Sequence, residues 1–128
     1  MGELLHEELS NRIIKCFYTV YNTLGYGFLK KVYENALMIE LSKNGLKAEK
    51  EKYIQVFYDN QSVGEYFADI IVEDTIILEL KAAKSVVEEH ELQLINYLKT
   101  TKIEIGLLLN FGKKPEFKSE IFINDRKV

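Results

Sequence analysis

The stretch Tyr66-Phe67-Ala68-Asp69-Ile70-Ile71-Val72-Glu73-Asp74-Thr75-Ile76-Ile77-Leu78-Glu79-Leu80-Lys81-Ala82 decides the fold. It reads as two strands rich in branched apolar residues, Val63 to Val72 and Thr75 to Ala82, joined by a tight turn at Glu73-Asp74. Side chains alternate faces along a strand, so Glu79 and Lys81 share one face while Leu78 and Leu80 share the other. A carboxylate and an ammonium on an otherwise apolar strand are costly to bury without a purpose. If the two strands are neighbours, Asp69 comes to lie beside Glu79 and Lys81. Two carboxylates plus a lysine suit a hard cation and a group that handles water, the constellation of a metal-dependent phosphodiesterase.

Upstream, Leu9, Ile13, Cys16, Phe17, Val20 and Leu24 carry the spacing of an amphipathic helix over residues 4 to 24. Gly25-Tyr26-Gly27 interrupts it. A second helix is expected over 28 to 44, with Leu29, Val32, Tyr33, Ala36, Leu37 and Leu41 inward and Asn44-Gly45 as its C-terminal stop. Residues 47 to 58 read as a first strand, followed by a hairpin loop at Asp59-Asn60-Gln61-Ser62. Downstream, a third helix is expected from Val86 to Lys99, a buried strand at Ile105 to Phe111, and a weak strand at Ser119 to Ile123. The order α-α-β-β-β-α-β-β predicts an α/β sandwich with a mixed β-sheet flanked by helices.

The chain has 128 residues, which suits one domain, 1–128, around one core. No apolar run approaches the roughly 18 residues of a membrane span, and the N-terminus lacks the pattern of a signal peptide. The lone cysteine, Cys16, falls in the apolar stripe of the first helix and reads as core, consistent with a cytoplasmic location. A net charge of -3 argues against a protein that coats nucleic acid by charge alone. It leaves room for a local basic patch drawn from Lys30, Lys31, Lys81, Lys84, Lys99, Lys102, Lys113 and Lys114.

The chain resembles the PD-(D/E)XK nuclease superfamily through Asp69 followed by Glu79-x-Lys81 on the next strand. Within it, the chain is similar to the small GxxExxY proteins, over residues 10 to 112. The landmarks are Leu24-Gly25-Tyr26-Gly27-Phe28-Leu29, Val32-Tyr33-Glu34-Asn35-Ala36-Leu37, Gly64-Glu65-Tyr66-Phe67-Ala68-Asp69, Leu78-Glu79-Leu80-Lys81-Ala82, His90 to Leu98 and Gly106 to Gly112. Two positions depart from the pattern: Lys30 stands where the family has glutamate, and Ala68 where the superfamily has proline.

The resemblance implies a restriction-endonuclease-type, three-layer-like core and hydrolysis of phosphodiester bonds, in DNA rather than RNA, with Mg²⁺ or Mn²⁺. Asp69, Glu79, the Leu80 carbonyl and Glu34 would be the metal ligands. Glu34 takes the helical acid role because Glu34, Leu37, Leu41 and Gly45 are spaced as in archaeal Holliday-junction resolvases. Glu40 is a second candidate there, with a structural ion pair as the alternative. Lys81 would steer the attacking water or stabilise charge on the phosphate. Gln93-x-x-x-Tyr97 resembles the motif after the catalytic lysine of RecB-like nucleases, and His90 shares that helical face. Gln93, Tyr97, His90 and Lys84 would therefore contact substrate. A catalytically inactive nuclease fold serving as a binding or assembly module is the alternative. A homodimer is expected because Tyr53, Phe57 and Tyr58 are more aromatic surface than one small core absorbs.

Overall fold

The computed structural model describes residues 6–127. Helices α1 (Glu7–Leu24) and α2 (Lys30–Lys43) precede strands β1 (Ala48–Tyr58), β2 (Gln61–Val72) and β3 (Ile76–Lys81). Helix α3 (Glu88–Lys99), strands β4 (Ile105–Phe111) and β5 (Pro115–Ile121), and a short 3₁₀ turn (Asn124–Arg126) complete the chain. Residues 4 and 5 of the expected first helix lie outside the described residues. The strands form one mixed sheet in the order β1-β2-β3-β4-β5. Among the described residues only β3 and β4 run parallel, and α3 makes the crossover between them.

Two apolar layers sandwich the sheet. On one face Ile13, Phe17, Tyr33, Leu37 and Leu41 of α1 and α2 pack against Leu78 and Leu80 of β3 and Leu107, Leu109 and Phe111 of β4. On the other, Leu94 and Leu98 of α3 pack against Ala68, Ile71, Ile77 and Leu108. The alternation expected for β3 therefore holds. Helix α3 sits close because Gly106 has no side chain: a Cβ there would lie 2.6 Å from Leu94 Cδ1. Cys16 is buried, as its place in the α1 stripe requires.

Several boundaries differ from the sequence expectation. The β1–β2 loop is only two residues long, Asp59 and Asn60, both with positive φ (54° and 62°). That is the backbone of a tight primed hairpin turn, so both strands run closer to the tip. Strand β5 begins at Pro115, not Ser119. It is an edge strand, where a proline without an N–H is tolerated. Helix α2 is rotated relative to its apolar stripe. Leu29 and Val32 face solvent, whereas Glu34 joins Tyr33, Leu37 and Leu41 in the interior. The Tyr33 ring stacks on Phe111 at 4.2 Å, and its hydroxyl donates to the Gly25 carbonyl at 2.7 Å. These contacts set the roll of the helix and carry Glu34 inward.

Candidate active site

Strand β2 pairs with β3 only through Ile70–Leu78, Ile71–Ile77 and Val72–Ile76. Continuing that register one step sets Asp69 opposite Glu79, and there the two strands part. Residues 61 to 68 run on paired with β1 alone, as a ribbon leaving the sheet. Alternation also fails at Asp69. Ala68 packs into the α3 layer while Ile70 packs into the α1/α2 layer, although two residues apart they should share a face. Across from Asp69, the β1 residue Glu51 has φ 55° and drops out of the ladder. The strand thus rolls at Asp69, and its carboxylate fills the gap: Leu80 N–H donates to Asp69 Oδ2 at 2.8 Å.

Glu79 stands beside this fork and is 6% exposed. Among the described residues, its Oε1 is the one buried side-chain oxygen without a hydrogen-bond partner. Burial, reinforced by the neighbouring Asp69 charge, pushes the Glu79 carboxyl up to about 8; Lys30 and Lys81 pull it part of the way back. An orphaned buried carboxylate oxygen next to a second carboxylate is what a hard cation requires. The pair therefore fits a divalent ion. No three acidic, histidine or cysteine side chains converge as a ready-made metal cluster among the described residues.

Glu34, expected to share the metal with Asp69 and Glu79, is 4% exposed and faces the interior. Its Oε1 accepts a hydrogen bond from Lys31 Nζ at 3.1 Å, and the same ammonium reaches Glu51 on β1. Glu34 is therefore neutralised by a lysine rather than gathered with Asp69 and Glu79 into one cluster. Glu40 is partly buried, 3.7 Å from Lys43 at the end of α2, which is the structural ion pair of the two readings. Lys30 has the least expected role: its Nζ lies 2.9 Å from Asp69 Oδ2. The sequence marks Lys30 as a member of a diffuse basic patch and as a departure from the family glutamate, without giving it a partner. The available signal was the first turn of α2, which holds two lysines and no acid. Acids are favoured at that helix end.

Lys81 projects to the α3 side, where Nζ donates to Gln93 Oε1 at 3.4 Å. Helix α3 also delivers Tyr97, whose ring stacks on Tyr66 of the ribbon at 3.8 Å. Burial, then the charges of Glu79 and Asp69, push the Tyr97 hydroxyl up to about 12, so it stays a neutral donor beside the acidic pair. Tyr66 was absent from the sequence-based candidates, yet it couples the ribbon to the helix face that carries Gln93. His90 lies one turn earlier, and its Nδ1 accepts the Val87 N–H at 3.3 Å, closing the start of α3. Lys84 lies further along the loop after β3. With Tyr26, Phe28 and Lys113 it lines an open pocket of about 280 Å³ at the carboxyl ends of β3 and β4. Asn110 pins that loop by accepting Ala83 N–H at 2.9 Å and donating to Ala83 O at 3.0 Å.

A profile of the PD-(D/E)XK nuclease superfamily matches residues 7–121. Among solved structures, the crystal structure of SSO0001 is similar, with a TM-score of 0.60 at 21% sequence identity. That match covers 91% of this chain and 59% of the other, so the chain spans about three-fifths of the SSO0001 chain. At this identity the likeness speaks for the fold. No curated protein matches the sequence.

Proposed function

From the premise that the chain belongs to the PD-(D/E)XK nuclease superfamily, we propose that it is a divalent-metal-dependent nuclease acting on DNA, close to the GxxExxY proteins. The observation that carries the reading is the orphaned Glu79 oxygen beside Asp69 where β2 and β3 part. Enzymes of this superfamily generally use divalent metals on nucleic acid. Asp69 and Glu79 would hold Mg²⁺ or Mn²⁺, with the backbone carbonyl of Leu80 next to them. The ion would supply positive charge to the scissile phosphate and lower the pKa of attacking water.

The protein's own residues have distinct tasks. Asp69 and Glu79 would hold the cation beside the strand fork. Lys81, oriented by Gln93, stabilises negative charge as it builds on the phosphate. Tyr97 donates its neutral hydroxyl to the nucleic-acid backbone on the same side, and His90 holds the helix end that aims it. Glu34 orients water or charge at the α2 corner through Lys31. Lys84 follows the strand past the cleft, where Tyr26 and Phe28 offer exposed rings to a base.

A second reading has its own support. The Lys30 ammonium already neutralises Asp69, as it would in a nuclease fold retained as a binding or assembly module. Purified protein incubated with single-stranded, duplex and branched DNA, and with RNA, tests the choice. Cleavage that needs Mg²⁺ or Mn²⁺, stops with EDTA and vanishes in Glu79→Gln supports the nuclease. No cleavage of any substrate with either ion supports the module.

A further inference from the structure

Helix α2 opens with Lys30 and Lys31, at the end where the helix dipole is positive and cations are disfavoured. Leu29, at the N-cap, contributes no side-chain cap. Helix formation therefore does not account for the two lysines; their partners do. Lys31 holds Glu34 and Glu51. Lys30 Nζ holds Asp69 Oδ2 at 2.9 Å, the same oxygen that accepts Leu80 N–H. Three of the four carboxylates around this corner thus carry an ammonium of the protein's own. Only Glu79 retains a buried oxygen with nothing attached.

This arrangement limits how much positive charge the site accepts from outside. An ion taken up by Asp69 and Glu79 would have to share Asp69 with the Lys30 ammonium, and like charges on one partly buried carboxylate repel. A second ion bridged by Asp69 would meet the lysine on the very oxygen it needs. Resting on the metal-binding reading above, we propose that Lys30 is the internal counter-cation of the site: its ammonium stands on Asp69 in place of a second divalent ion, so the centre takes up one ion, and takes it more weakly than it would with a neutral side chain at position 30. The Lys30 side chain is 43% exposed, so its stem has room to move aside without disturbing the core.

Calorimetric titration with Mn²⁺ tests this directly, without substrate or turnover. Wild type is compared with Lys30→Met, Lys30→Gln, Lys30→Glu, Lys30→Arg and Asp69→Asn. Lys43→Met, which removes the lysine paired with Glu40 at the other end of α2, serves as a charge control. Thermal melts accompany each protein, and two neutral substitutions guard against a folding artefact in either. The expected result is one ion per wild-type chain and binding about tenfold tighter in Lys30→Met and Lys30→Gln, equivalent to ~1.4 kcal/mol. Lys30→Glu should take two ions, while Lys30→Arg and Lys43→Met stay within twofold of wild type. Equal or weaker binding in both neutral variants, or two ions in wild type, overturns the proposal. If all proteins bind alike except Asp69→Asn, the metal-binding reading stands and the role of Lys30 falls. If none binds, Lys30→Glu included, both fall together.

Discussion

Replacing Glu79 with glutamine should make the metal-free protein more stable, and by an amount that grows with pH. In the unfolded chain this carboxyl ionises near 4.5; in the folded protein, burial and Asp69 raise it to about 8. Between those values the folded state holds a proton that the unfolded state has released. Stability therefore falls as pH rises through that window, by up to ~1.4 kcal/mol per pH unit. Below pH 4.5 both states are protonated and there is no penalty; above 8 both are ionised and the penalty is complete. At pH 7 it amounts to roughly 3 kcal/mol. Glutamine removes it but buries an amide that itself costs about 1 kcal/mol without a partner, at every pH. The gap between variant and wild type should therefore start near or below zero at pH 4.5. It should reach about 2 kcal/mol at pH 7, or roughly 8 °C in Tm for a chain of this size. Thermal melts monitored by circular dichroism from pH 4.5 to 9, with and without Mn²⁺, provide the assay. Saturating Mn²⁺ should stabilise wild type, flatten its pH dependence and leave Glu79→Gln unmoved. A gap that stays constant or shrinks between pH 5 and 8 would refute the claim that Glu79 is an unpartnered buried carboxyl.

Three further outcomes are expected. Lys81→Ala should lower metal-dependent cleavage by about two orders of magnitude, the usual loss for a group acting on the transition state, with an unchanged melting curve; cleavage that persists would demote Lys81 to a partner of Gln93. Glu34→Gln should cut kcat about a hundredfold or more while Mn²⁺ affinity changes little, since Lys31 rather than the metal pair holds that carboxylate; an unchanged rate removes Glu34 from the mechanism. The chain should run as a homodimer by light scattering at tens of micromolar, and Phe57→Asp should yield monomers, because Phe57, Tyr58, Val63 and Phe67 of the β1–β2 ribbon are all more than half exposed; a monomeric wild type would count against it.

Much of the architecture could be read from residue order, and the exceptions have physical causes. Ile105 to Phe111 was legible because a strand buried on both faces is apolar at nearly every position and is bounded by breakers. The nearness of Asp69 to Glu79 followed from two strands and a tight turn. The inward turn of Glu34 did not follow from periodicity, since the apolar stripe of α2 pointed to Val32 and Ala36. It came from a stacking contact between Tyr33 and Phe111, residues 78 apart in sequence. Two lysines in the first turn of α2 signal a need for partners, but that Lys30 reaches Asp69 depends on where α2 starts over the sheet. The roll of β2 at Asp69 was invisible, because it breaks the rule of alternation from which the strand was inferred.

The hydrogen bond from Leu80 N–H to Asp69 has a consequence for anyone watching this protein in solution. Most amides of a central strand report only whether the sheet is intact. This one ends on a carboxylate, so its proton responds to whatever that carboxylate is doing. Its resonance would shift as Asp69 gains a proton, loses Lys30 or takes up a cation. Its exchange with solvent would quicken if the ribbon swung away from β3. A single backbone signal thus serves as a gauge of charge, occupancy and opening at the point where two strands part company.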